Sequence, residues 1–358
     1  MKIAQIAPLW ERVPPPGYGG IELVVGLLSD ELVRRGHEVT LFASGDSQTL
    51  ARLESVVSQA IRLNSNIREP GVYEMLQLQR VVELSDEFDL IHFHTGYSAL
   101  PWAEVIQTPV IHTIHGTFSP DGRKLYKRYR KQNYISISDA QREPEWEINY
   151  VDTVYNGIDM NNYPFFPKPQ NRPYLAFLGR LSPEKGIQHA IAIARATGWH
   201  LKIAGKIDPV DRKFYQGEIK PLIDGNQIEY LGEIDHDQKV ELIGNAAVTL
   251  FPITWREPFG LVMIESMSTG TPVIGMNMGS VPEVIAHGET GFICNTIEEI
   301  IAAIPAAVKL NRQACRDRVM AHFSVATMVE GYEAAYAEVI KATMSQRNGH
   351  MHSHQLVA

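Results

Sequence analysis

Short apolar runs alternate with amphipathic stretches of helical period through almost the whole chain, and this alternation predicts two successive series of strands and helices. In the first half, the runs near residues 2–8, 39–44, 90–94, 110–115 and 134–138 read as strands. The helix after the first strand carries Ile21, Val24, Val25, Leu28 and Leu32 on one face. Gly36 suits its C-terminal cap, and Arg34 and Arg35 suit the negative end of its dipole. A second series begins near residues 175–179 and continues near 200–205, 228–232, 248–252, 272–276 and 290–294, with helices between. Strands and helices in alternation argue for parallel sheets covered on both faces. Between the two series, Asn156-Gly157-Ile158-Asp159 leads into Pro164, Pro167 and Pro169, which oppose regular structure and mark a linker.

The pattern therefore predicts an α/β protein with two Rossmann-like domains, residues 1–156 and 157–322, facing each other across a cleft. An amphipathic segment, residues 323–342, is expected to cross back and pack on the first domain. Residues 343–358 turn polar, with His350, His352 and His354 in alternation, and are expected to form a disordered tail with only adventitious metal affinity.

Composition narrows the function classes. A chain of 358 residues, 44% hydrophobic and 21% charged, fits a soluble globular protein with room for two domains. Its 33 Lys and Arg against 41 Asp and Glu give no general basic excess, so nucleic acid is not an expected partner. The N-terminus reads as a short alternating strand rather than a signal peptide, and no apolar run approaches the roughly 20 residues of a membrane span, so a cytoplasmic location is the default. Cys294 and Cys315 are too few for a disulfide framework or a zinc cluster and read as packing residues.

The candidate chemistry concentrates at residues 257–265, where Glu257 and Glu265 flank Pro258, Phe259, Gly260, Leu261, Val262, Met263 and Ile264. Pro258 suits the first position of a helix, which leaves the amides of Phe259, Gly260 and Leu261 without intrahelical partners and open to an anion. On such a helix the carboxylates lie about 12 Å apart along the axis. That is the reach of a nucleotide diphosphate sugar: phosphates on the amides, one carboxylate on sugar hydroxyls, the other on ribose hydroxyls. The plainer alternative is a capped surface helix with solvated glutamates. The segment follows the apolar run 248–252, so it lies at the carboxyl end of a strand, where open α/β sheets bind ligands.

Several further motifs occur in a fixed order: Gly17-Tyr18-Gly19-Gly20-Ile21-Glu22, His115-Gly116, Asn156-Gly157-Ile158-Asp159, Gly179-Arg180-Leu181-Ser182-Pro183-Glu184-Lys185-Gly186, residues 257–265, and Gly270-Thr271-Pro272-Val273-Ile274. Together they resemble the retaining nucleotide-sugar glycosyltransferases of family 4, which have the GT-B fold, and the resemblance covers nearly the whole chain. It implies that Gly19 and Gly20 touch the donor phosphate and shape the acceptor side, and that Arg180 and Lys185 neutralise the leaving diphosphate. It further implies that His115 lies near the transferred sugar and that backbone around Leu231 reads the nucleobase. In this reading Glu257 holds the sugar, Glu265 the ribose, and Phe259, Gly260 and Leu261 the phosphates. His115, Glu257, Arg180 and Lys185 form the expected catalytic set, with no metal and no cofactor beyond the nucleotide-sugar co-substrate. A UDP-sugar is favoured, with GDP- or ADP-sugars as alternatives, and the acceptor hydroxyl belongs to a saccharide, a lipid-linked molecule or a small molecule.

Asp235-His236-Asp237 has the form of a metal-binding DxD, but it opens a predicted helix, where Asp serves as a cap. His92, His94 and His112 sit at or near strand ends without a supporting Cys or carboxylate pattern, and His92 and His112 read as hydrogen-bonded core residues rather than metal ligands. The basic stretch from Arg123 to Lys131 reads as a solvated helix face, with peripheral membrane contact as the less favoured alternative. A nicotinamide oxidoreductase would need a G-x-G-x-x-G after the first strand, and Ala7-Pro8-Leu9-Trp10 offers none. A non-catalytic nucleotide-sugar binding protein is the remaining alternative, disfavoured by the complete charged set.

Overall fold

The computed structural model describes residues 1–17, 19–142 and 147–355, and those residues form two parallel sheets. The first contains β1 (Lys2–Ile6), β2 (Glu38–Phe42), β3 (Arg52–Glu54), β4 (Leu90–Phe93), β5 (Val110–Ile114), β6 (Asn133–Ser136) and β7 (Tyr150–Thr153), in the order β3-β2-β1-β4-β5-β6-β7. The second contains β8 (Leu175–Leu178), β9 (Leu201–Ala204), β10 (Ile228–Tyr230), β11 (Val248–Phe251), β12 (Val273–Met276) and β13 (Gly291–Cys294), in the order β10-β9-β8-β11-β12-β13. Both orders reverse direction after their first strand, so the switch points fall between β1 and β4 and between β8 and β11. Ligands of such sheets bind outside the carboxyl ends of the strands at these points.

Burial explains why these runs are strands. Leu90, Ile91 and Phe93 of β4 and Val248, Thr249 and Leu250 of β11 are all sealed from solvent, as parallel strands with helices on both faces must be. β3 and β7 escape the apolar pattern because they are short and half-exposed.

The chain crosses between the domains twice, and the two crossings are zipped together. Ile158 N–H donates to Phe323 O at 3.0 Å, and Val325 N–H donates to Ile158 O at 3.1 Å. A Cβ on Gly157 would lie 2.5 Å from Ser324 O, so the linker needs glycine for this close approach. Beyond the second crossing, the helix Val325–Gln355 lays Met328, Val329, Tyr332 and Tyr336 against Ile3, Val24 and Leu28 of the first domain. That helix runs to Gln355, beyond the bound of 342 expected from the sequence. Residues 343–348 contain no proline, and Gly349 alone weakens a helix by only about 1 kcal/mol. Leu356 to Ala358 and Tyr18 lie outside the described residues. Among the described residues, no helix is long and apolar enough to cross a membrane.

Candidate active site

The loops after β1, β4 and β5 surround a cavity of about 540 Å³ in the first domain, lined by Trp10, Glu11, Gly19, Gly20, Glu22, Tyr97 and His115 among others. Glu11 pairs with Arg62 at 2.6 Å. Burial pushes the Glu22 carboxyl up to about 6. Gly19 precedes the helix Gly20–Arg34 with φ 152°, and its Cβ would strike Pro15 at 2.8 Å. Across the cleft, a Cβ on Gly20 would lie 3.4 Å from the Leu261 side chain. The glycine loop thus faces the 257–265 segment of the second domain, as its place after the first strand implies.

That segment differs from the expected helix in one respect. The helix spans Leu261–Ser268, and Gly260 is its N-cap with φ 79°, a left-handed conformation that glycine tolerates and that keeps Pro258 and Phe259 outside the helix. The 12 Å axial spacing therefore does not apply, and Phe259 is not a first-turn amide. Its ring is buried in the core and its carbonyl accepts a hydrogen bond from Ser280 Oγ at 2.6 Å. Leu261 and Val262 open the helix, so the unpartnered first-turn amides begin there. Gly279, which the sequence patterns did not single out, supports the turn from behind: its Cβ would meet Glu257 O at 2.2 Å.

Both glutamates are buried, with 7% exposure for Glu257 and 4% for Glu265, so neither is a solvated surface residue. Each is held by one lysine and one aromatic donor. Glu257 Oε2 accepts from Lys185 Nζ at 2.5 Å and from Trp255 Nε1 at 2.9 Å, while Lys185 lies 4.9 Å over the Trp255 ring. Glu265 Oε1 accepts from Lys239 Nζ at 2.5 Å and from Tyr163 Oη at 2.8 Å. Arg180 pairs with Glu184 and approaches Asp211 at 3.7 Å. Arg180 and Lys185 follow β8, and Glu257 follows β11, so three of the expected residues meet at the second switch point. Trp255, Tyr163, Lys239, Glu184 and Asp211 were not foreseen. Folding brings Tyr163 to Glu265 across 102 positions and Lys239 across 26, whereas Trp255 is two positions from Glu257 and Glu184 four from Arg180.

Leu231 follows β10, with its amide already donated to Ile203 O at 2.8 Å and its side chain exposed. Asp235 caps the helix His236–Gly244 in a reciprocal capping box with Gln238, as expected. The histidines divide. His92 is hydrogen-bonded in the core, and His112 is buried there with its ring stacked on Phe93 at 5.3 Å between ring centroids. His115 sits at the cavity wall with its Nε2 2.8 Å from His94 Nδ1, and burial lowers it to about 3, so it is neutral.

Comparison with known proteins agrees with this architecture. The family profile described as Glycosyltransferase Family 4 matches residues 18–162, and that described as Glycosyl transferases group 1 matches residues 161–319. A glycogen synthase of Mycobacterium tuberculosis is 25% identical, the match covering 94% of each chain. A phosphatidyl-myo-inositol mannosyltransferase of Mycobacterium leprae is 26% identical over 90% of each. Among solved structures, AviGT4, a glycosyltransferase of avilamycin A biosynthesis, superposes with a TM-score of 0.70 at 25% identity, covering 95% of this chain and 98% of its own. Anabaena HepE, solved in complex with UDP-glucose, has a TM-score of 0.70 at 19% identity over 96% of this chain and all of its own. Two adjoining family profiles, relatives aligned nearly end to end and the shared pair of Rossmann-like domains place this chain in the group 1 glycosyltransferases of the GT-B fold, enzymes of the hexosyltransferase class.

Proposed function

We propose that this enzyme transfers a hexose-type sugar from a nucleoside diphosphate donor, a UDP-sugar by preference, to an acceptor hydroxyl with retention and without a metal ion. The observation that carries this reading is the pair of buried carboxylates after β11, each already engaged by a lysine. A carboxylate sealed from water is costly unless paired; the lysine and aromatic donor on each offset that cost, and a sugar nucleotide can exchange for them with its own hydroxyls. Arrival of a diphosphate gives Lys185 and Arg180 a second anion, drawing them from Glu257 and from Glu184 and Asp211 onto the leaving group. Glu257 then turns to the sugar hydroxyls, and Glu265, steadied by Lys239 and Tyr163, to the ribose. Neither glutamate needs to attack the anomeric carbon. Departure and attack take place on one face of the sugar, and the leaving phosphate accepts the proton of the acceptor hydroxyl. UDP-glucose bound by HepE supports the donor class.

The test is a screen of UDP-, GDP- and ADP-sugars, with and without EDTA, reading nucleotide release and the anomeric configuration of the product by NMR. One donor is expected to turn over equally in both conditions and to yield the anomer it started with. Inversion, or loss of turnover in EDTA, would overturn the corresponding part of the proposal.

Gly186 supplies an independent check on the geometry. It has φ +77°, and a Cβ there would lie 1.8 Å from Pro252 O, so Gly186→Ala must push the Lys185 loop away from β11. Displacement of a charged group by about 1 Å is expected to lower kcat/KM by about 10²-fold. Activity within a factor of about two of the parent would show that the loop position is unimportant.

A further inference from the structure

A continuous chain of buried hydrogen bonds runs from the cleft to the C-terminal helix. His115 Nε2 lies 2.8 Å from His94 Nδ1, and His94 Nε2 lies 2.9 Å from Gln5 Oε1. Gln5 Nε2 donates to Tyr336 Oη at 2.9 Å, and Tyr336 Oη lies 2.7 Å from His92 Nδ1. His92 Nε2 is 2.7 Å from Thr113 Oγ1, which is 3.1 Å from Tyr332 Oη. Gln5, His92, His94, Thr113, Tyr332 and Tyr336 are at most 2% exposed, so water does not share these bonds.

The donors and acceptors follow from the Gln5 amide. Its oxygen can only accept, so the proton of His94 lies on Nε2. Burial keeps His92, His94 and His115 neutral, and a neutral imidazole has one donor and one acceptor. His94 Nδ1 must therefore accept, and His115 must donate from Nε2. On the other side, the amide nitrogen of Gln5 donates to Tyr336, whose hydroxyl proton passes to His92 Nδ1. Each link then has one proton, and the polarity runs one way from His115 to Tyr332.

We propose that Tyr336 is a positioning residue for glycosyl transfer: through Gln5 and His94 it holds His115 in the Nε2–H tautomer, leaving Nδ1 as an acceptor for a hydroxyl in the cleft. The functional part of this inference rests on the reading that the sugar is transferred beside His115. The phenol acts by giving the amide nitrogen of Gln5 an acceptor whose own proton is committed to His92 Nδ1. Without that hydroxyl the amide is free to turn and present N–H to His94 Nε2. His94 then carries its proton on Nδ1 and donates to His115 Nε2, and the proton of His115 moves to Nδ1, the side that had been an acceptor.

The test uses the full chain labelled with 15N-histidine, read by long-range proton–nitrogen correlation, beside steady-state kinetics. The parent protein is expected to show His92, His94 and His115 all as Nε2–H. In Tyr336→Phe, His115 is expected to become a tautomer mixture, and kcat to fall by about tenfold while the donor KM stays within about twofold. Tyr332→Phe removes a buried hydroxyl from the same helix but leaves the Gln5 amide held, so His115 should remain Nε2–H and kcat should stay within about twofold. A parent spectrum with His115 as Nδ1–H overturns the proposal, and it decides the matter even if Tyr336→Phe fails to fold. A folded Tyr336→Phe with unchanged tautomer and kcat, or equal losses in both variants, also overturns it, the latter by pointing to helix packing alone. If no donor is turned over, the transfer reading fails, while the spectrum still reports the tautomers.

Discussion

Lys185→Ala is expected to lower kcat by about 10²- to 10³-fold, the effect of removing one preorganised charge from a developing anion in a water-poor site. Lys185 follows β8 at the sheet's switch point, and its ammonium already lies against Glu257 and the Trp255 ring. The substitution acts twice. It removes the cation proposed to meet the leaving diphosphate, and among the described residues it leaves a carboxylate with 7% exposure held by the Trp255 indole alone. Arginine at 185 should recover part of the loss, since charge is kept while the compact ammonium geometry is not. Nucleotide release under saturating donor gives kcat directly, and thermal denaturation verifies that the variant is folded. A kcat within about threefold of the parent would remove Lys185 from the transfer step.

Arg312→Ala is expected to destabilise the second domain by about 3–5 kcal/mol, although Arg312 lies outside the proposed site. Its guanidinium donates to Phe166 O at 2.6 Å, Ala246 O at 3.0 Å, Gly244 O at 2.7 Å and Thr271 Oγ1 at 2.5 Å. These acceptors come from the linker, from the end of the helix His236–Gly244 and the turn after it, and from the approach to β12. One side chain therefore adds bonds to three segments that are distant in sequence. Burial, which removes water from the guanidinium, lowers it to about 10. Truncation leaves buried carbonyls unpaired and opens a void, and lysine cannot span the same fork of acceptors. Urea unfolding of the parent, Arg312→Ala and Arg312→Lys at pH 7 measures the effect. A loss below about 1 kcal/mol for Arg312→Ala would show that water replaces the bonds.

Much of the framework is legible because the signals behind it are local. β4, β11 and β12 are apolar apart from His92 and Thr249, the capping box at Asp235 spans four residues, and the linker prolines stand together. β3 and β7 are not legible, since three or four half-exposed residues carry no distinctive period. The start of the helix Leu261–Ser268 was misplaced for a related reason. Pro258 is a sound N-terminal signal, but Gly260 is left-handed and lies where a Cβ would be 2.9 Å from the Phe251 ring, a close approach between residues that are not adjacent in sequence. The family motifs led to Glu257, Glu265, Arg180 and Lys185, yet not to their resting partners.

By itself, the sequence determined two parallel α/β sheets, the linker between them, a return helix and the strand ends at which the chemistry gathers. These follow from hydrophobic period and from glycine and proline, whose effects reach only a few residues along the chain. Only the tertiary structure decided that Lys185 rests on Glu257, that Lys239 and Tyr163 hold Glu265, and that His115 is wired to Tyr336. Buried charges and tautomers are governed by partners within about 3 Å, and Gln5 meets Tyr336 across 331 positions of chain. No local pattern encodes such a meeting; it exists only once the helix Val325–Gln355 has closed over β1, β4 and β5.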